Sequence, residues 1–219
     1  VPIGVNTALS SLTIANASTS TATITVPNIG SGAIGVVAGT GVTGAVNIGN
    51  TSAAKIIMSG DIYKAGGAVT LTTTGGTDAS DIEIDFTKGA AVFIATSGDN
   101  VSLVGGDVSL ANGSHLTIDT NIANSGETNG GNISIAGGID GTSDENLTLD
   151  AHSTGTGTIT LAIVGAGEQT GITASEINTL TLTAGGGITL GGDISTSDAN
   201  DSPGVDINGD VTLSASVTI

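Results

Sequence analysis

Arginine, cysteine and tryptophan are missing from this 219-residue chain, and each absence closes a route. Without cysteine, neither a disulfide framework nor a thiolate metal site is available. With no arginine and only three lysines (Lys55, Lys64 and Lys88) against 20 acidic residues, the formal charge is -17. Phosphate cannot be neutralised by so few cations, so nucleic acid is excluded as an expected partner. Anionic membrane surfaces are excluded on the same ground. Membrane insertion is not expected either, because no run approaches the roughly 20 apolar residues of a span. Aromatic residues are nearly absent: Tyr63, Phe86 and Phe93 are all there are. A thick globular core of this size relies on aromatic volume. The interior is therefore expected to be narrow, filled by Val, Ile, Leu and Ala in thin layers.

What the chain does contain is a short phrase, apolar then Thr or Ser then apolar, returning between glycine-rich breaks. It occurs at Leu12–Ile14, Ile24–Val26, Val69–Leu71, Val101–Leu103, Leu116–Ile118, Ile133–Ile135, Leu147–Leu149, Ile159–Leu161, Leu180–Leu182, Ile188–Leu190, Val211–Leu213 and Val217–Ile219. Alternation over three residues puts two branched side chains on one face of a strand and a hydroxyl on the other. A strand that short is stable only when many stack on a shared core, which is the logic of a solenoid.

Two periods organise the phrases. Leu12–Ile14 matches Leu147–Leu149 and Ile24–Val26 matches Ile159–Leu161, both at an offset of 135; Ile62 and Val69 find counterparts at Ile194 and Val205. A degenerate repeat is thus expected, with one copy from about 12 to 146 and another from 147 to 219. Inside it, Leu116, Leu147, Leu180 and Val211 open phrases 31 to 33 residues apart, with Ile133, Ile159 and Ile188 between them. Each coil is read as two or three strands joined by corners, where Gly, Asn and Asp accept the required backbone. The spacings predict an all-β chain: one continuous β-solenoid over 1–219, a right-handed parallel β-helix of roughly seven to ten rungs. The polar stretches 121–132, 165–178 and 195–204 are expected to project as loops. Residues 166–177 are the one candidate for a helical turn, which Gly171 weakens.

The runs Leu116–Thr120, Gly130–Ile135, Asn146–Asp150 and Ile188–Asp193 resemble the repeats of giant bacterial surface adhesins, the filamentous-haemagglutinin-like and autotransporter-type β-helix proteins. The resemblance implies a right-handed parallel β-helix displayed outside the cell, at the bacterial surface, and used for adhesion, cohesion or as a stalk. It brings no catalytic residues with it.

Several residues invite a chemical role, and each also has a plainer one. Asp198, Asp201, Asp206 and Asp210, with Asn200 and Asn208, form the densest acidic patch, and loop oxygens of this kind chelate calcium. Their spacing fits no established calcium loop, because Pro203 stands where an EF-hand needs Gly; they are read as solvated corner residues. His115 and His152 stand alone, and Asp150 precedes His152 without a nucleophile pattern. Carbohydrate-active β-helices generally hold sugar with clustered carboxylates and Arg, Lys or aromatic platforms, which this chain largely lacks. Threonines at 21, 23, 25, 70, 72, 179, 181 and 183 are read as ordinary exposed strand residues. Glycosylation sequons stand at Asn16, Asn50, Asn100, Asn112, Asn132 and Asn146. The three lysines are read as solvated, with an isopeptide link to Asn as the alternative.

No catalytic, cofactor-binding or metal residue is assigned, and no cofactor is expected apart from the calcium option. The expectation is a non-enzymatic, structural and adhesive extracellular solenoid. Its partners would be further copies stacked head to tail, adjoining repeats of a longer chain, or host surfaces and glycans. The alternative is a carbohydrate-binding or carbohydrate-cleaving β-helix.

Overall fold

The computed structural model describes residues 1–17, 23–31, 41–74, 82–111, 113–121, 129–141, 145–152, 154–161, 171–174, 177–196, 204–217 and 219. Among them the chain is all β, without a helix. Sheet I holds eight strands: β1 (Leu12–Ile14), β3 (Val46–Gly49), β6 (Val69–Thr72), β9 (Val101–Val104), β12 (Ile133–Ile135), β15 (Ile159–Leu161), β18 (Ile188–Leu190) and β21 (Val211–Leu213). Sheet II holds β2 (Thr23–Val26), β4 (Lys55–Met58), β7 (Ile82–Phe86), β10 (Asp107–Leu110) and β13 (Ile139–Gly141). Beyond it β16 (Gly171–Ala174) lies against β13 and pairs with β19 (Asp193–Thr196). Sheet III holds β5 (Ile62–Lys64), β8 (Ala91–Ala95), β11 (His115–Asp119), β14 (Glu145–Asp150), β17 (Ile177–Thr183) and β20 (Val205–Asn208).

Every pair of these strands is parallel. From β5 onward the chain visits sheets III, I and II in that order and then begins again, with β16 and β19 in the place of sheet II. This topology fits a β-solenoid with three strands to each circuit, and the eight strands of sheet I fall inside the expected count of rungs.

Register confirms the phrase reading where it matters most. Leu116 lies opposite Leu147, which lies opposite Leu180, while Ile133, Ile159 and Ile188 line up in sheet I. Val211 departs from the expected series. It pairs with Ile188 in sheet I, and the next partner of Leu180 is Val205. The reason is that circuits differ in length: successive partners along sheet I, from Leu12 through Val46, Val69 and Val101 to Val211, are 23 to 34 residues apart. The pairs matched at long offset also fall on different sheets, Leu12 on sheet I and Leu147 on sheet III, Ile24 on sheet II and Ile159 on sheet I. A three-residue amphipathic phrase suits any of the three sheets, so similarity of phrase does not fix the sheet.

Two local readings are corrected. Residues 171–174 are strand and not helix, because Ile172 and Thr173 pair with Ile194 and Ser195; the start of that expected turn lies outside the described residues. The stretch read as the loop 165–178 therefore contains β16 and the first residues of β17. The final phrase, Val217 to Ile219, forms no strand at the two positions described, since a three-residue strand persists only with a hydrogen-bonded neighbour.

Inward positions make one hydrophobic cluster that runs the length of the sheets, from Ile24 and Val26 to Ile188, Leu190 and Ile194. Burying each such Leu or Ile contributes about 1.5–3 kcal/mol. The interior is mainly aliphatic, as the composition predicts, with Tyr63 and Phe86 also enclosed. The Tyr63 hydroxyl accepts from the Gly60 N–H at 2.6 Å and donates to the Val26 carbonyl at 3.3 Å. Burial pushes its ionisation far above the ordinary tyrosine range. Corners are tight: a Cβ on Gly131 would collide with the backbone of Asp99 and Asn100, so glycine is required where one circuit crosses the last.

Candidate functional site in the outward ladders

Because parallel strands stack in register, each outward side chain sits above a counterpart from the neighbouring circuit. On sheet III, Asp119 and Asp150 are direct partners. Each closes the same small turn: Asp119 Oδ1 accepts from the Asn121 N–H and Asp150 Oδ1 from the His152 N–H, both at 2.8 Å. His152 adopts a left-handed backbone, φ 69°, and its Nε2 lies 3.1 Å from Thr154 Oγ1. Burial raises the Asp119 carboxyl above the usual carboxylate range; the Asn121 N–H opposes the rise, the Asp150 charge adds to it and His152 counteracts it. The sequence carries the signal for this pair, since Leu116–Asp119 and Leu147–Asp150 repeat phrase and carboxylate together.

The other histidine belongs to a second ladder. His115 Nδ1 accepts from the Asn146 N–H at 3.1 Å, and Asn146 Oδ1 accepts from Thr179 Oγ1 at 2.8 Å. Beside it lies Glu145, wholly buried, with Oε1 accepting from the Gly113 N–H at 2.9 Å. Nothing in the sequence pattern singled out Glu145, because its polar neighbours read as a corner, whereas it opens β14 on the inward side with Leu147 and Leu149. A third ladder runs along the entry to sheet I: Asn100 Oδ1 accepts from Asn132 N–H at 2.8 Å, and Asn132 Oδ1 accepts both N–H and Oγ1–H of Thr158 at 3.0 Å.

Lysines divide three ways. Lys55 forms an ion pair with Asp85 at 3.0 Å, and Lys88 is exposed. Lys64 corrects the expectation of a solvated side chain: it is 7% exposed, and Nζ donates to the Ser31 carbonyl at 3.2 Å. Desolvation lowers its pKa. Its neighbours on the outer side of sheet III, Ile62 and Phe93, are also buried.

Of the acidic patch, Asp198, Asn200 and Asp201 lie outside the described residues. Asp206 is on β20 opposite Thr181, Asn208 is opposite Thr183 and Asp210 follows the strand. No group of three or more His, Asp or Glu side chains able to hold a metal occurs among the described residues. Thr21 and Asn112 are likewise outside the description. Among the sequons, Asn100 and Asn132 are exposed, while Asn50 commits its Nδ2 to the Asn16 carbonyl at 2.9 Å.

On sheet I the outward column runs from Thr13 through Thr70, Ser102, Ser134 and Thr160 to Thr212. Asn47 is its one member without a hydroxyl. Phrases that alternate with other residues along the chain are thus consecutive in space, because the intervening phrases belong to other sheets. None of these ladders joins an activated nucleophile to a base; the bonds of Asp119 and Asp150 close their own turns, while those of the Asn146 and Asn132 ladders run from one circuit to the next and fix its placement. Comparison of the chain with protein-family models, curated proteins and solved structures finds no match.

Proposed function

We propose that the chain forms a single continuous, right-handed parallel β-helix closed around one core, and that it serves as a rod-like unit of an extracellular bacterial surface fibre or adhesin. Its role is structural and adhesive, without catalysis. One observation carries the reading: side chains that are sealed within the stack become bare at its last strand. Ile188 and Leu190 are each 1% exposed, whereas their register partners Val211 and Leu213 are 44% and 54% exposed. An uncovered parallel edge with an apolar inner row accepts further strands. Those strands come from a second copy stacked head to tail or from adjoining repeats. The resemblance of the phrases to surface-adhesin repeats points the same way.

Negative-stain electron microscopy of the purified chain tests this. Thin fibres of uniform width are expected, shortened or lost when residues 205 to 219 are deleted. Intact polymers after that deletion would defeat the proposal of end-to-end stacking.

A further inference from the structure

The acidic residues are not spread evenly over the three sheets. Sheet II carries Glu83, Asp85, Asp107 and Asp140 in its strands, with Lys55 paired to Asp85, and sheet III carries Asp119, Glu145, Asp150 and Asp206. All eight strands of sheet I contain no Asp, Glu, Lys, Arg or His. In a chain of formal charge -17, the longest sheet is the uncharged one.

Exposure separates the faces only at single rungs, since Thr117, Thr148 and Thr181 on sheet III are half-buried like much of the sheet I column. Ser109 on sheet II is 1% exposed and Phe93 on sheet III is 4% exposed, although both stand at outward register positions. On sheet I the hydroxyl column stays half-buried or exposed at every rung. Next to that column lies Val104, opposite Thr72 and 42% exposed. Every other exposed large apolar side chain among the described residues is in the first circuit or the last: Val1, Leu9, Val211, Leu213 and Ile219.

We propose that sheet I is the face through which two copies of this chain associate side by side. Contact through either other sheet would press carboxylates of two strongly acidic bodies together, which is costly. Contact through sheet I avoids that, and hydroxyls both donate and accept, so the face complements itself in an isologous pair. Eight strands spaced about 4.8 Å apart and three or four residues wide cover roughly 400 Å² on each copy. The total of about 800 Å² falls below the roughly 1,000 Å² of a stable specific interface, so the pairing is weak and transient. Asp99, two residues before β9, and Asp210, just before β21, flank the face and make it sensitive to salt. Lateral pairing does not depend on end-to-end stacking.

Sedimentation equilibrium of the full chain, at low salt and at about 0.5 M NaCl, reads the proposal. A weak dimer is expected that tightens as salt screens the repulsion between copies. Val104→Glu lowers the association constant at least about tenfold, and Thr148→Glu, the same added charge on sheet III, leaves it unchanged. Circular dichroism checks that each variant folds, and Ser134→Asp replaces Val104→Glu if the latter does not. Solution scattering separates a compact lateral pair from an extended end-to-end one, and Leu213→Glu weakens only the second. A chain that stays monomeric at every salt and concentration overturns the proposal, as does undiminished pairing of folded Val104→Glu, or equal loss in Thr148→Glu. Retention of a monomeric chain on an insoluble neutral polysaccharide also overturns it, and gives the face to a glycan.

Discussion

Sheets I and III are built from the same phrase and share one core, yet their outer faces differ. Along sheet I the outward column keeps one chemistry from the first circuit to the last. Along sheet III it changes, from buried Ile62 and Phe93 to Thr117, Thr148 and Thr181 and then to Asp206. The inward rows show no such divergence: Leu103 and Leu147 are both sealed. What the two sheets teach is a division of labour within one repeat. Inward positions set the fold and must agree everywhere, while outward positions are free to give each face its own character.

The sharpest way to break that comparison is to cut into both interiors. Leu103→Ala in sheet I and Leu147→Ala in sheet III should each cost about 3 kcal/mol, the usual range for a buried leucine, read as a shift of the urea unfolding midpoint. Leu213→Ala, at the exposed last strand, should cost under about 1 kcal/mol. Clearly unequal losses at Leu103 and Leu147 would show that the two interiors are not equivalent.

A smaller effect probes the rim of sheet I. Asn132→Ala removes the acceptor for two donors of Thr158 and should cost about 1 kcal/mol, with the exchange of the Thr158 amide hydrogen accelerated. Unchanged exchange would mean that the asparagine ladder is incidental.

The smallest effect belongs to sheet III and depends on pH. The Asp119 carboxyl titrates above its ordinary value in the folded chain, so the folded state holds that proton more readily than the unfolded one. Stability linked to this group is therefore gained as pH falls from neutral toward the ordinary carboxylate range, and is lost again as pH rises through the raised value. Asp119→Asn should flatten this part of the stability profile, whereas Thr160→Ser on sheet I should leave it unaltered. Parallel profiles for Asp119→Asn and the unmodified chain would remove the carboxylate stack as an electrostatic feature.

Eleven of the twelve phrases read from the sequence lie in strands, and the in-register pairing of Leu116 with Leu147 and Leu180 was legible from spacing alone. Strands such as β4, β5 and β8 were not, because they carry outward Lys, Ile, Phe or Ala in place of the hydroxyl. Their alternation disappears from the sequence when the outward side is buried too, as at Ile62 and Phe93. The assignment of phrases to sheets was also hidden. It depends on how many residues each corner consumes, and corners of glycine, serine and asparagine carry no length signal. The Asp119 and Asp150 pair was available as a repeated phrase, but the burial of Glu145 was not, since a carboxylate among polar neighbours gives no sign that it opens a strand on the inward side.

In each sheet, backbone hydrogen bonds point from one circuit to the next, parallel to the direction in which the circuits accumulate. Tension applied along that direction loads them one rung after another and never all together in shear. The chain should therefore yield by peeling, releasing a circuit of some 23 to 34 residues at each step, or about 80–120 Å of extended polypeptide. Such a stack lengthens under load while the circuits not yet peeled stay paired.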